Sequence, residues 1–173
     1  AYTDRKLKSV IASRENRWWA IFASTDKYDE GRLEYDVRLL RQFYLERGYA
    51  DIEVTRAVGG LLPDRSGFAV SFLLEEGQRY KVDKVNIESK IPNIDIDMMR
   101  SLVSFEKNQW FDSRILEKGL LDIGEEVGNY GYAFVDVFPE VMTDKETGTL
   151  EIAITIGEAK KNFVEPVSYT HLR

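Results

Sequence analysis

Between Arg32 and Ala50, Leu33, Val37, Leu40 and Tyr44 stand at i, i+4, i+7 and i+11, and Leu116, Leu120, Ile123 and Val127 repeat the series 83 residues later. That spacing predicts two long amphipathic helices, each with one buried stripe. Asp29 and Asp112 precede them as matched N-cap residues, whose carboxylates can accept the free N–H groups of a first turn. Tyr28 and Phe111 come just before these caps, and Leu33 and Leu116 follow four residues after, which is the hydrophobic-staple arrangement. Beyond each helix, Gly48-Tyr49-Ala50 returns as Gly131-Tyr132-Ala133, and the period then changes from helical to alternating. Ile52 and Val54 match Val135 and Val137 as half-buried strands. Turn residues follow, GGLLPDRSG in one copy and MTDKETG in the other. A second strand then places Val70, Phe72 and Leu74 against Ile152, Ile154 and Ile156, so each copy ends in a β-hairpin.

Upstream, the segment Leu7 to Ile11 resembles Met99 to Val103 at an offset of 92 residues, the apolar half of a shorter helix with Thr3 or Asp4 and Asp95 as caps. The shift from 92 to 83 puts nine extra residues between the two helices of the first copy, in a stretch containing Trp18, Trp19, Ile21 and Phe22. This apolar loop either folds back on its own domain or forms an interface with a partner. A further strand begins near Tyr80, and its Val82 and Val85 align with Val164 and Val167. The repeat is therefore strand-helix-helix-strand-strand. The expected architecture is α+β, with two helices packed on one face of a small three-stranded mixed sheet, repeated along the chain. The expected domains are residues 1–77, lacking the opening strand, a complete unit over 78–159, and the start of a further unit over 160–173. The final VSYTHLR departs from the repeat and reads as a junction foreign to it.

Composition narrows the chemistry. The chain has 173 residues, a net charge of -6, 43% apolar and 31% charged residues, one histidine and no cysteine. This fits a folded globular chain. Thiol nucleophiles, disulfides, zinc-thiolate sites and iron-sulfur clusters are excluded. The acidic balance argues against nucleic acid as a partner, and no apolar run reaches the length of a membrane-spanning helix.

The phrases YDEGRLEYDVRLLRQFYLERGYADIEV, EEGQRYKVDKVNIES and NYGYAFVDVFPEV, with the element order and a period near 80 residues, resemble the polypeptide-transport-associated (POTRA) domains of the Omp85 family. The likeness runs from Ala1 to Val164 and is greatest to the second and third POTRA domains of its outer-membrane assembly factors. The resemblance implies a periplasmic position at the outer membrane, a β-barrel C-terminal to the units, and adjacent POTRA domains as neighbours. It implies nascent outer-membrane proteins and assembly lipoproteins as partners. It assigns structural roles to Gly48, Tyr49, Ala50, Gly131, Tyr132 and Ala133 at the helix-to-strand corners, where small residues allow a tight turn and the ring covers the core. Glu75-Glu76-Gly77 looks like the family's turn into the next opening strand, whereas the second copy reads Gly157-Glu158-Ala159.

The functional surface implied is backbone more than side chain. An exposed strand edge can accept an extended segment with limited sequence preference. The first hairpin strands, Asp51 to Ala57 and Phe134 to Val141, are the candidates, in particular Asp51, Ile52, Glu53, Val54, Phe134, Val135, Asp136 and Val137. Pro139 lacks an N–H and favours an edge position. Enzymatic readings find little support. Glu75-Glu76 and Glu125-Glu126 read as solvated charge, His171 is isolated, Gly59-Gly60 and Gly124 form no phosphate-binding pattern, and TDKETG lacks the ligand spacing of a Ca²⁺ loop. A non-catalytic binding module without cofactor is expected, and a structural spacer or cell-division-type scaffold is the alternative.

Overall fold

The computed structural model describes residues 2–11, 30–61, 68–106, 108–132 and 134–158. In chain order the elements are α1 (Asp4–Lys8), α2 (Glu30–Leu45), β1 (Glu53–Leu61), β2 (Phe68–Glu75), β3 (Lys81–Ser89), α3 (Ile96–Leu102), α4 (Ser113–Asn129), β4 (Val135–Asp144) and β5 (Thr149–Glu158). The α+β class holds, with two helix-helix-hairpin units and β3 between them.

In the second unit the sheet order is β3-β5-β4, with β3 parallel and β4 antiparallel to β5. The middle strand contributes Ile152, Ile154 and Ile156, each at most 1% exposed, and the stripe of α4 contributes Leu116, Ile123 and Val127 to the same core. α3 adds Met99, which is fully buried. A bulge between Val82 and Lys84 explains the odd spacing on β3, because it returns Val85 and Ile87 to the core side after Val82. The caps are local chemistry. Asp95 accepts from the N–H groups of Asp97 and Met98, and Asp112 accepts from that of Arg114.

The first unit shows two strands among the described residues, β1 antiparallel to β2. Its core is aromatic: Phe43, Tyr44, Tyr49 and Ile52, with Tyr2, Leu7, Val10 and Leu74 packed on it. Tyr2 meets Phe43, Tyr44 and Tyr49 edge-on, with ring centroids 5.0, 5.5 and 6.1 Å away, the geometry that ring quadrupoles favour.

Four boundaries differ from the sequence reading. β1 continues through Gly59, Gly60 and Leu61, which pair with Val70, Ala69 and Phe68; ladder pairing overrides the turn tendency of the two glycines. β4 runs to Asp144, so the second turn is the four residues Lys145 to Gly148, closed by Gly148 at φ 69°. α1 ends at Lys8, which leaves Val10 and Ile11 outside the helix they were expected to line. β1 begins at Glu53 and not at Asp51, and Ala50 before it lies in a turn.

Candidate protein-binding edges and the joint between units

β4 pairs only with β5, and β1 only with β2, so each has an outer backbone edge with no strand on it among the described residues. On β4, Val135 and Val137 are half-buried and pack against the core, whereas Phe138, and Phe134 just ahead of the strand, are 60% and 65% exposed. Pro139 stands mid-strand opposite Ile154, a residue that sheets admit on edge strands. The hairpin end is fixed by Asp144, whose carboxylate accepts the N–H groups of Glu146 at 2.8 Å and Thr147 at 3.3 Å. The Thr147 hydroxyl and these two amides hold that carboxyl below its ordinary pKa.

On β1, Glu53 is exposed and Val54 half-buried, whereas Ile52 is 2% exposed and precedes the strand. Asp51 belongs elsewhere. Its carboxylate accepts from the Tyr80 hydroxyl and has Lys145 at 3.9 Å, while its Cβ and backbone carbonyl lie beside Gly77. It is therefore part of a joint between the units and not of an edge.

That joint is built around Tyr80, which is fully buried. Its N–H donates to the Gly48 carbonyl at 2.8 Å, and its own carbonyl accepts from Phe111 N–H at 3.0 Å. Burial first, then the hydrogen bond to Asp51 and its charge, push the Tyr80 phenol upward. Arg79 donates from Nε to the Arg47 carbonyl at 2.8 Å while its guanidinium lies 4.2 Å from the Trp110 ring centroid. Gln78 donates to the Lys145 carbonyl at 3.0 Å. Leu45 and Ala50 of the first unit pack on the core of the second. None of these pairings carries a periodic signature. The available signal is the short connection from Glu75 to Lys81, which forces the end of one unit against the start of the next.

Gly48 and Gly131 have φ of 92° and 94°, a left-handed region that side chains disfavour. A Cβ on Gly48 would touch the Phe111 and Tyr80 carbonyls at 3.4 and 3.5 Å, whereas one on Gly131 would meet nothing within 4 Å. Close approach thus operates at the joint, and the turn conformation alone asks for glycine at Gly131. Tyr49 is buried in the first core, and Tyr132 packs half-buried on the second. Asp112 caps α4 and meets Arg114 at 2.6 Å, an interaction that holds its carboxyl below the usual carboxylate range. The expected roles of Asp29, Ala133, Trp18 and Trp19 fall outside the described residues. Among the described residues, no cluster of three or more His, Cys, Asp or Glu side chains is placed to hold a metal, and no helix is long and apolar enough to cross a membrane.

A family model described as POTRA, surface antigen variable number repeat, matches residues 1–77 and 80–159. A relative from Neorickettsia risticii, described as outer membrane protein assembly factor BamA, is 29% identical over 169 residues, covering 96% of this chain and 22% of its own length. One of the same description from Neisseria meningitidis is 22% identical over 169 residues, covering 98% of this chain and 21% of its own length. The chain thus spans about a fifth of the length of these relatives. Among solved structures, Haemophilus influenzae BamA POTRA3-5 matches with a TM-score of 0.78 at 20% identity, over 92% of this chain and 62% of that one. BamA from Haemophilus ducreyi lacking POTRA domains 1-3 matches at 0.60 and 16% identity, over 77% of this chain and 24% of that one. At these identities the structural likeness concerns the fold.

Proposed function

The chain belongs to the POTRA family, and from that premise we propose that it is a non-catalytic, periplasmic protein-binding module of an outer-membrane assembly factor. Its role is to receive unfolded β-barrel clients along strand edges and to dock assembly lipoproteins, with a β-barrel elsewhere in the full protein. The observation that carries this reading is the outer edge of β4, a ten-residue strand paired on one side only among the described residues. Such an edge presents N–H and C=O groups to any extended chain, so it can serve clients of many sequences. We place the two units second and third in their series on the sequence phrases they share with that family; the full-length gene tests this, since one further unit must then precede Ala1.

Hydrogen exchange tests the main reading. With an unfolded outer-membrane β-barrel protein added, amides of Val135 to Asp144 should gain protection while the helix α4 stays unchanged. No gain on β4 or β1 removes the support for edge pairing. The joint around Tyr80 favours a second reading, a structural spacer that holds neighbouring units at a set angle. A spacer binds neither client nor lipoprotein, so binding measurements with purified assembly lipoproteins separate the two.

A further inference from the structure

The edge-pairing reading leaves open what side chains an incoming segment would meet, and the register of β4 answers that. Val137, Pro139 and Val141 stand opposite Ile156, Ile154 and Ile152 on the buried face of the sheet. Asp136, Phe138, Glu140 and Met142 stand opposite Gly157, Thr155, Ala153 and Glu151 on the other. With Phe134 just ahead of the strand, the outer face therefore reads Phe, Asp, Phe, Glu, Met. Phe134, Phe138 and Met142 are 65%, 60% and 46% exposed. Among the described residues, neither Asp136 nor Glu140 takes part in an ion pair. The central strand offers mostly small side chains beside them, so the rings stand proud of a low floor formed by Gly157, Thr155 and Ala153.

Resting on the edge-pairing reading, we propose that β4 selects extended segments that alternate apolar and basic residues along one face. The apolar residues lie beside Phe134, Phe138 and Met142, and the cations face Asp136 and Glu140. Residues directly opposite across a strand pair attract when aromatic or oppositely charged and repel when like-charged. The two carboxylates thus favour lysine or arginine and reject acidic segments. A segment apolar at every position of that face leaves both carboxylates against hydrocarbon, which also disfavours it. The order apolar, acidic, apolar, acidic, apolar is the same from either end. Parallel and antiparallel arrivals therefore meet one pattern, and the edge discriminates by side chain without fixing strand direction.

Two nine-residue peptides test this, Leu-Thr-Lys-Thr-Leu-Thr-Lys-Thr-Leu and its counterpart with glutamate at both lysines, titrated into the chain with β4 amides observed by NMR and hydrogen exchange. The lysine peptide should protect β4 and bind about tenfold more tightly, from two rim pairs turned from attraction to repulsion. The gap should shrink at about 1 M salt, where screening acts within about 3 Å. The double variant Asp136→Lys/Glu140→Lys should reverse the preference, and its binding of the glutamate peptide shows that it is folded. Equal binding of both peptides at β4 in low salt overturns the selectivity while leaving edge pairing in place. Protection of β4 by neither peptide, nor by an unfolded client, overturns both.

Discussion

The two units present the same hairpin in different states of completion. In the second, β5 lies between β3 and β4, and its alternate isoleucines are sealed off from water. In the first, the corresponding strand β2 has a partner on one side only among the described residues; Leu74 is half-buried and Val70 is 37% exposed. The hairpin sequences are equally alternating, so the burial comes from the third strand and not from the pattern of the strand itself. A parallel strand supplied across the helices is what turns a half-covered surface into a core. β3, which does this for the second unit, leaves the first unit only six residues after β2 ends.

The largest expected effect tests that contrast directly. Ile156→Ala should cost about 2–5 kcal/mol in the second unit, as for other fully buried large-to-small changes. Leu74→Ala, the matching position, should cost about 1–2 kcal/mol, because part of its surface already faces water. Urea unfolding followed through amide signals assigned to each unit measures both. Equal losses would mean that β2 is covered by chain outside the described residues, and the contrast would dissolve.

A second contrast lies inside the helices. In the gapless alignment of α2 with α4, buried Asp36 falls on buried Gly119. A Cβ on Gly119 would sit 2.8 Å from Val103 Cγ2 and 3.2 Å from the Leu102 carbonyl, so the end of α3 meets α4 where no side chain intervenes. Gly119→Ala should destabilise the second unit by about 1–3 kcal/mol through overpacking, against a helix propensity that favours alanine by about 1 kcal/mol. Gly124→Ala, on the same helix with nothing within 4 Å, should instead stabilise by up to about 1 kcal/mol. Thermal unfolding of the pair separates close approach from propensity; a loss at both positions would remove the close-approach argument.

The joint comes next. Tyr80→Phe keeps the buried ring and removes the hydroxyl that donates to Asp51. A hydrogen bond to a charged group is worth about 1.5–3 kcal/mol, and the solvent that reaches Asp51 reduces the loss to about 1 kcal/mol. The more telling readout is orientation. Residual dipolar couplings should show the two units sampling a wider range of angles in the variant, and an unchanged range would move control of the angle to Arg79 and Trp110.

Much of this was legible in the chain. Period and offset located both long helices and both hairpins, because core-facing residues must recur at the spacing of the element that carries them. Gly59-Gly60 misled, since a glycine pair signals a turn locally and only the pairing with Ala69 and Val70 keeps it extended. The outer edge of β4, unpaired among the described residues, was foreshadowed by Pro139. The alternation of Phe134, Asp136, Phe138 and Glu140 was visible too, but its meaning required knowing that these positions face away from the helices. The pairing of Asp51 with Tyr80 spans 29 residues, and only the folded connection brings the two together.

The smallest effect concerns a repeated signal whose structure is described in one unit alone, the aspartate cap. Asp112 accepts the Arg114 N–H at 3.0 Å and meets its guanidinium at 2.6 Å. The hydrogen bond to Arg114 is the main cause of its lowered pKa, with burial opposing. A carboxyl depressed in the folded state contributes stability that is present above its unfolded pKa of about 3.9 and is lost as pH falls through the lower folded value. The partner is 63% exposed, so screening keeps the ionic share to about 0.5 kcal/mol. Asp112→Asn retains a capping oxygen and should lose about that much at neutral pH. It should also flatten the part of the acid-unfolding curve below pH 4 that belongs to α4. Amide-resolved titration of α4 measures the slope, and an unaltered slope in the variant would assign the acid sensitivity to Asp144 at the β4–β5 turn, whose carboxyl is depressed by the Thr147 hydroxyl and by its own turn amides.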